Sequence, residues 1–179
     1  MVMPLGGHRR DSLVYGPQRS QIVKILGIDP GSSESGYVVY TPPAPVTIAG
    51  KIPNEQMLGM LETAKFDTVV IERPECWMTS KYLDETLIWV GRFFQSCKDH
   101  RTCKKIAYMT RDGVLRKLFG KAIRPKKGEP SRDERVKQLM LKSYESGSFP
   151  APIFSGRKDR ANDAWQAMGL VTAYLKEEV

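Results

Sequence analysis

The run from Ile22 to Asp29 constrains this chain more than any other segment. It is β-rich and apolar on both alternating faces, and it stops on Asp29-Pro30-Gly31. A strand that is apolar on both sides needs cover above and below, so it reads as a central strand of a sheet. The Asp-Pro-Gly and the serines after it make a turn. A carboxylate is thereby expected at the end of a central strand.

The rest of the pattern fills in an α/β layer. Ser35 to Thr41 and Val46 to Ile52 read as the next strands of a hairpin meander, with Pro42, Pro43 and Pro45 at the bend. Asn54 is expected to cap a short helix running to about Lys65. Phe66 to Glu72 reads as a fourth strand, ended by Arg73-Pro74. Ser80 opens a long helix in which Leu83, Leu87, Val90, Phe94 and Cys97 form one stripe. Ile88, Trp89 and Phe93 lie off that stripe, so the helix is apolar around more of its girth than one core contact needs. It is either deeply buried or packed on both the sheet and a second subunit; in the second case Leu83, Leu87, Trp89, Val90 and Phe93 are the contact residues. Lys105 to Met109 reads as a fifth strand and Arg111 to Phe119 as a basic amphipathic helix. Ser131-Arg132-Asp133-Glu134 is a capping-box pattern that opens another helix. Ser146 to Gly156 reads as a loop, and about Asp159 to Lys176 as the last helix. The order βββαβαβααα predicts one α/β domain over residues 22–179, with a mixed five-stranded sheet flanked by helices. Residues 1–21 contain Arg9, Arg10 and Arg19 but no apolar signal core, and are expected to be a flexible basic arm.

The net charge of +8 over 179 residues favours a polyanionic partner: DNA, RNA or an anionic membrane surface. No apolar run is long enough for a transmembrane helix. The cysteines Cys76, Cys97 and Cys103 do not make a disulfide framework, which fits a reducing, cytoplasmic setting. Cys97, His100 and Cys103 lie close together, but a structural zinc site needs four ligands, and a tight turn between helix and strand is the simpler reading. Basic residues crowd one region: Arg111, Arg116, Lys117, Lys121, Arg124, Lys126 and Lys127, with few acids interspersed. Such density gives a salt-sensitive, sequence-independent grip on phosphates. Arg157 and Lys158 precede the last helix and are expected to hold a nucleic-acid strand.

The acids point to the chemistry. Asp29 ends the first strand, Glu72 ends the fourth, and Asp159 and Asp163 open the last helix. Each alone has an ordinary reading: a turn-former, a solvated strand end, or acids beside a helix N-terminus. If the first and fourth strands are neighbours, the acids converge at one edge of the sheet. Converging acids repel one another unless a cation sits among them. Oxygen ligands without histidine suit Mg²⁺ or Mn²⁺ better than zinc. Two such ions can activate a water and stabilise the leaving oxygen of a phosphodiester.

Three motifs carry a resemblance. Gly27-Ile28-Asp29-Pro30-Gly31 with Gly36-Tyr37, then Val70-Ile71-Glu72, then Ala161-Asn162-Asp163-Ala164-Trp165-Gln166-Ala167, resemble in order the acidic motifs of the RuvC-type Holliday-junction resolvases. The resemblance spans roughly Val23 to Leu175 and looks most like a phage or prophage member. It implies an RNase H-like fold, a homodimer, and Mg²⁺-dependent nicking of two strands across a four-way DNA junction, leaving ligatable ends, in a bacterial or phage-infected cell. It makes Asp29, Glu72 and Asp163 metal ligands. The family's fourth ligand, an aspartate or histidine, falls here on Arg160, which cannot bind a cation. Asp159, one residue earlier and on the same helical face as Asp163, is expected to replace it, leaving Arg160 to contact phosphate. The family's junction-stacking aromatic has no direct match, since Glu75 stands at its spacing, and Trp77 is the candidate wedge.

Other functions compete. The same fold and acids would serve a flap or fork nuclease. Sugar-kinase and actin-like ATPases share a strand ending near an aspartate and glycine, but they need two duplicated domains. The Arg160 departure keeps open a non-catalytic DNA-binding relic.

Overall fold

The computed structural model describes residues 23–42, 46–75, 80–121, 123–146, 151–155 and 161–177. In chain order the elements are β1 (Ile25–Asp29), β2 (Glu34–Tyr40), β3 (Val46–Pro53), α1 (Asn54–Thr63), β4 (Phe66–Arg73), α2 (Lys81–Asp99), β5 (Cys103–Thr110), α3 (Arg111–Phe119), α4 (Arg132–Glu145), β6 (Ala151–Ser155) and α5 (Ala161–Leu175). The strands form a mixed sheet in the order β5-β4-β1-β2-β3-β6. β1, β4 and β5 run parallel, β2 is antiparallel to β1 and β3, and β6 is parallel to β3.

β1 is central, as its two-sided apolar sequence requires. Leu26 and Ile28 on one face join Val69, Ile71, Met57, Leu61 and Phe93 in a core beneath α1 and α2. Ile25 and Val70 on the other face join Ala164, Ala167, Met168 and Val171 of α5, with α3 and α4 packed behind. α5 comes close to the sheet because two strand positions facing it are glycines. A Cβ on Gly27 would meet the Ala167 carbonyl at 2.9 Å, and one on Gly36 would strike the Asp163 backbone.

The five expected strands and the flanking helices are present, and a sixth strand corrects the loop expected over Ser146 to Gly156. β6 pairs with β3 from Val46↔Ala151 to Gly50↔Ser155. It lies at the sheet edge, where Pro152 is tolerated because its missing N–H need not face a neighbour. Asn54 is also corrected: it is the first residue of α1 and makes no side-chain cap. Its buried amide instead accepts from Ser35 Oγ at 2.6 Å and donates to the Gly31 carbonyl at 3.0 Å. This ties the turn after β1 to α1. The caps expected at Ser80 and Ser131 form, with each hydroxyl accepting from the backbone three residues on.

The α2 stripe divides. Val90 and Cys97 of the stripe are buried in the chain's own core together with Phe93, which the sequence placed off it, whereas Phe94, placed on it, is only partly buried; Val90 and Phe93 therefore have little surface left for a partner. Leu83, Leu87 and Trp89 are partly buried, while Tyr82 and Ile88 are exposed. Trp89 stacks against Phe93 and lies under the Arg92 guanidinium at 4.1 Å. Among the described residues, no helix is long and apolar enough to cross a membrane.

Candidate active site

Strand register builds the site. Ile28 pairs with Ile71, so the next residues, Asp29 at the end of β1 and Glu72 one residue before the end of β4, are neighbours on adjacent parallel strands. Asp29 pairs with Gly36 on β2, and Gly36 with Lys51 on β3. Glu72, Asp29, Gly36 and Lys51 therefore form a row across the sheet. Gly36 is the gap in that row, and the first turn of α5 sits over it, bringing Asp163 beside Asp29. The carboxyl ends of parallel strands are where open α/β sheets place their ligand sites. Asp29 thus has Glu72 beside it on the neighbouring strand and Asp163 beside it across β2. Asp159, Arg157, Lys158, Arg160 and Trp77 lie outside the described residues.

Two cations stand among these acids. Lys51 Nζ is 2.6 Å from Asp163 Oδ2 and 3.8 Å from Glu34. A cavity of about 210 Å³ opens here, lined by Asp29, the turn 30–34, Lys51 and Asp163. On the other side of Asp29 lies Arg111, the first residue of α3. Thr110 caps that helix by accepting from Gly113 N, which fixes where Arg111 begins. Arg111 Nε is 2.9 Å from Glu72 Oε1, and its Nη2 is 3.5 Å from Asp29 and 3.8 Å from Asp133. Its Nη1 donates to Gln166 Oε1 at 2.7 Å. Arg111 was expected on the DNA-contacting surface; its guanidinium is instead turned inward onto the carboxylates, whose combined charge outweighs the attraction of solvent.

Asp133, Gln166 and Lys51 went unnoticed as site residues. Asp133 has a complete local explanation in the capping-box pattern, and Gln166 reads as a core position of α5. Gln166 is buried, and its Nε2 donates to the Asp133 carbonyl at 3.1 Å, tying α5 to the start of α4.

Burial raises the Asp29 carboxyl to about 7; Arg111 and Lys51 oppose the shift, and Asp163 and Asp133 add to it. Burial likewise raises Glu72 to about 8, reinforced by the Asp29 charge and opposed by Arg111. Both folded-state values exceed the ordinary carboxylate range of the unfolded chain. The metal-free fold therefore gains stability from these groups at low pH, complete below the ordinary range and lost as pH rises through about 7 to 8. In EDTA, the Tm of Glu72→Gln is expected to fall less than that of wild type between pH 5 and 8.5. Parallel pH profiles would contradict this.

The donor set is oxygen only, which is the chemistry a hard divalent cation requires. Glu72 Oε2 is buried with no hydrogen-bond partner, an acceptor left open for a cation. Among the described residues, no three acids converge closely enough to hold an ion as the site stands with Arg111 between them. The residues fit such an ion in kind, and Arg111 stands among them.

The basic residues divide by position. Arg116, Lys117, Lys121, Arg124, Lys126 and Lys127 are exposed. Lys121, Arg124 and Lys126 line a cavity of about 650 Å³ with Phe119, Ile123 and Arg135 at the far end of α3 from Arg111. Lys117 lies 3.9 Å from Glu177.

The fold is RNase H-like, as in RuvC-type Holliday-junction resolvases. The chain is similar to a Thermus thermophilus RuvC structure, at 13% identity and a TM-score of 0.55 over 87% of this chain and 97% of that one. It is similar to T. thermophilus RuvC in complex with a Holliday junction substrate, at 14% identity and a TM-score of 0.56 over 87% and 96%. The yeast mitochondrial Holliday junction resolvase Ydc2 matches at 8% identity and a TM-score of 0.55 over 87% of this chain and 78% of its own. No protein-family model and no curated protein matches the sequence. At these identities the likeness establishes the fold.

Proposed function

We propose that this chain is a structure-selective endonuclease that resolves four-way DNA junctions by divalent-metal-dependent hydrolysis, acting as a homodimer. The observation that carries this reading is that Asp29 has Glu72 on one side and Asp163 on the other, at one edge of a fold shared with resolvases, one of them solved on its junction. Asp29, Glu72 and Asp163 would hold Mg²⁺, or Mn²⁺ in its place, with Asp159 as a further ligand. A pair of such ions would activate water and stabilise the leaving oxygen of the phosphodiester. The acids supply the negative field that concentrates cations at the strand ends. Arg116, Lys117, Lys121, Arg124, Lys126 and Lys127, with Arg157, Lys158 and Arg160 ahead of α5, supply the grip on phosphate. Lys51 neutralises Asp163 and so limits repulsion of an approaching phosphate. The partly buried Leu83, Leu87 and Trp89, with Tyr82 and Ile88 exposed beside them, support a second subunit along α2. Two sites related by a two-fold axis suit two opposed strands of a junction.

The test uses a labelled synthetic four-way junction beside a linear duplex and a flap, with Mg²⁺ or EDTA. Paired, symmetric, metal-dependent nicks confined to the junction are the expected result. Cutting only of the flap would replace this reading with a flap nuclease. Tight binding without cutting of any substrate would make the chain a DNA-binding relic.

A further inference from the structure

Three carboxylates surround a single guanidinium at the junction of β1, β4 and α4. Glu72, Asp29 and Asp133 approach Arg111 at 2.9, 3.5 and 3.8 Å, and its fourth neighbour, Gln166, is neutral. All three acids depend on this one guanidinium. A second observation points the same way. Glu72 is only 5% exposed, and while its Oε1 meets Arg111, its Oε2 is buried without any partner. A buried, unpaired carboxylate oxygen is costly and is expected to have a ligand in some state of the protein. A guanidinium is a planar fork; here it satisfies one oxygen of Glu72 and leaves the other. A divalent ion carries twice the charge on a point and accepts oxygens from several directions.

We propose that Arg111 occupies the seat of a divalent cation bounded by Glu72, Asp29 and Asp133, and must leave that seat for the ion to bind. This inference rests on the metal-dependent reading above and adds two things to it. Asp133, delivered by the first turn of α4, is a wall of the cation seat. Arg111 is the internal counter-ion that keeps the acids in place until the metal arrives. The arrangement lowers the apparent metal affinity, because only molecules with Arg111 displaced are competent to bind. Gln166 holds Arg111 in the seat through Oε1 and anchors the Asp133 backbone through Nε2, so one buried amide positions both.

The experiment titrates the full, DNA-free chain with Mn²⁺, following free ion by electron paramagnetic resonance. Wild type is compared with Arg111→Lys, Arg111→Gln and Asp133→Asn. Lysine keeps the charge but loses the fork, so it separates occupancy of the seat from the general field. Both Arg111 variants are expected to bind Mn²⁺ roughly tenfold or more tightly than wild type, the scale of one lost charge-assisted bond. Asp133→Asn is expected to bind it more weakly. An Arg111→Lys protein that matches wild type would overturn the exchange. A second readout needs no substitution: in wild type, the Arg111 Nε–Hε resonance should shift and exchange faster with solvent on adding Mg²⁺. A resonance unmoved while the ion binds would also overturn it. No ion bound by wild type or any variant would instead overturn the metal-dependent reading itself.

Discussion

Asp29→Asn is expected to bind a four-way junction as wild type does while cutting it about three orders of magnitude more slowly, or not at all. The expectation follows from how the site divides its labour. Asp29 lies between the Arg111 side and the Lys51 side of the acid row, and both cations act on it. Removing its charge removes the shared wall of any cation site there. The exposed cations from Arg116 to Lys127 and the cavity they line lie at the other end of α3, and the substitution leaves them untouched. Because burial already works against ionisation of Asp29, the amide also removes a cost, so the variant should be at least as stable as wild type in EDTA at pH 8. Junction binding by gel shift, single-turnover cleavage and a thermal melt check the three parts separately. A folded Asp29→Asn protein that loses binding and cutting together would contradict the division. Glu72→Gln should behave in the same way, since Glu72 is also buried and its carboxyl is also raised.

Much of this was legible in the residues, for reasons that also explain what was not. A strand apolar on both faces has few places to go, so Ile25 to Asp29 announced the centre of the sheet and its terminal acid. Glu72 was legible because it follows the apolar run Val69 to Ile71, and Asp163 because it opens a helix in a recognisable motif. What escaped depends on packing between distant segments. Asp133 satisfies a local capping pattern, so nothing at the level of Ser131 to Glu134 calls for a further role. Arg111 belongs to a basic helix, and only the carboxylates across from it turn the side chain inward. Asn54 sits where a cap would, but buried partners on Ser35 and Gly31 outcompete the helix end for its amide. β6 hid behind Pro152, which is a poor strand residue everywhere except an edge.

Gly36→Ala is expected to lower Tm by several degrees and to displace the first turn of α5, so that cleavage falls even though no acid has changed. The added methyl has nowhere to go: it would overlap the Asp163 carbonyl and lie within 2.7 Å of Asp163 Cβ. The obstacle is mostly backbone, which cannot rotate aside as a side chain can. Overpacking costs about 1–3 kcal/mol, and for a chain of this size each kcal/mol moves Tm by about 2–4 °C. The same methyl placed on Gly59, in α1, meets nothing within 4 Å. Gly59→Ala should therefore raise stability, by up to about 1 kcal/mol from helix propensity alone. The pair tests whether the glycine in the acid row is there to admit α5. If Gly36→Ala melts and cuts like wild type, α5 does not rest on β2 as described, and the placement of Asp163 beside Asp29 loses its structural basis. If Gly36→Ala is destabilised and cuts poorly while Gly59→Ala is stabilised and cuts normally, the gap at Gly36 is what sets Asp163 in the site.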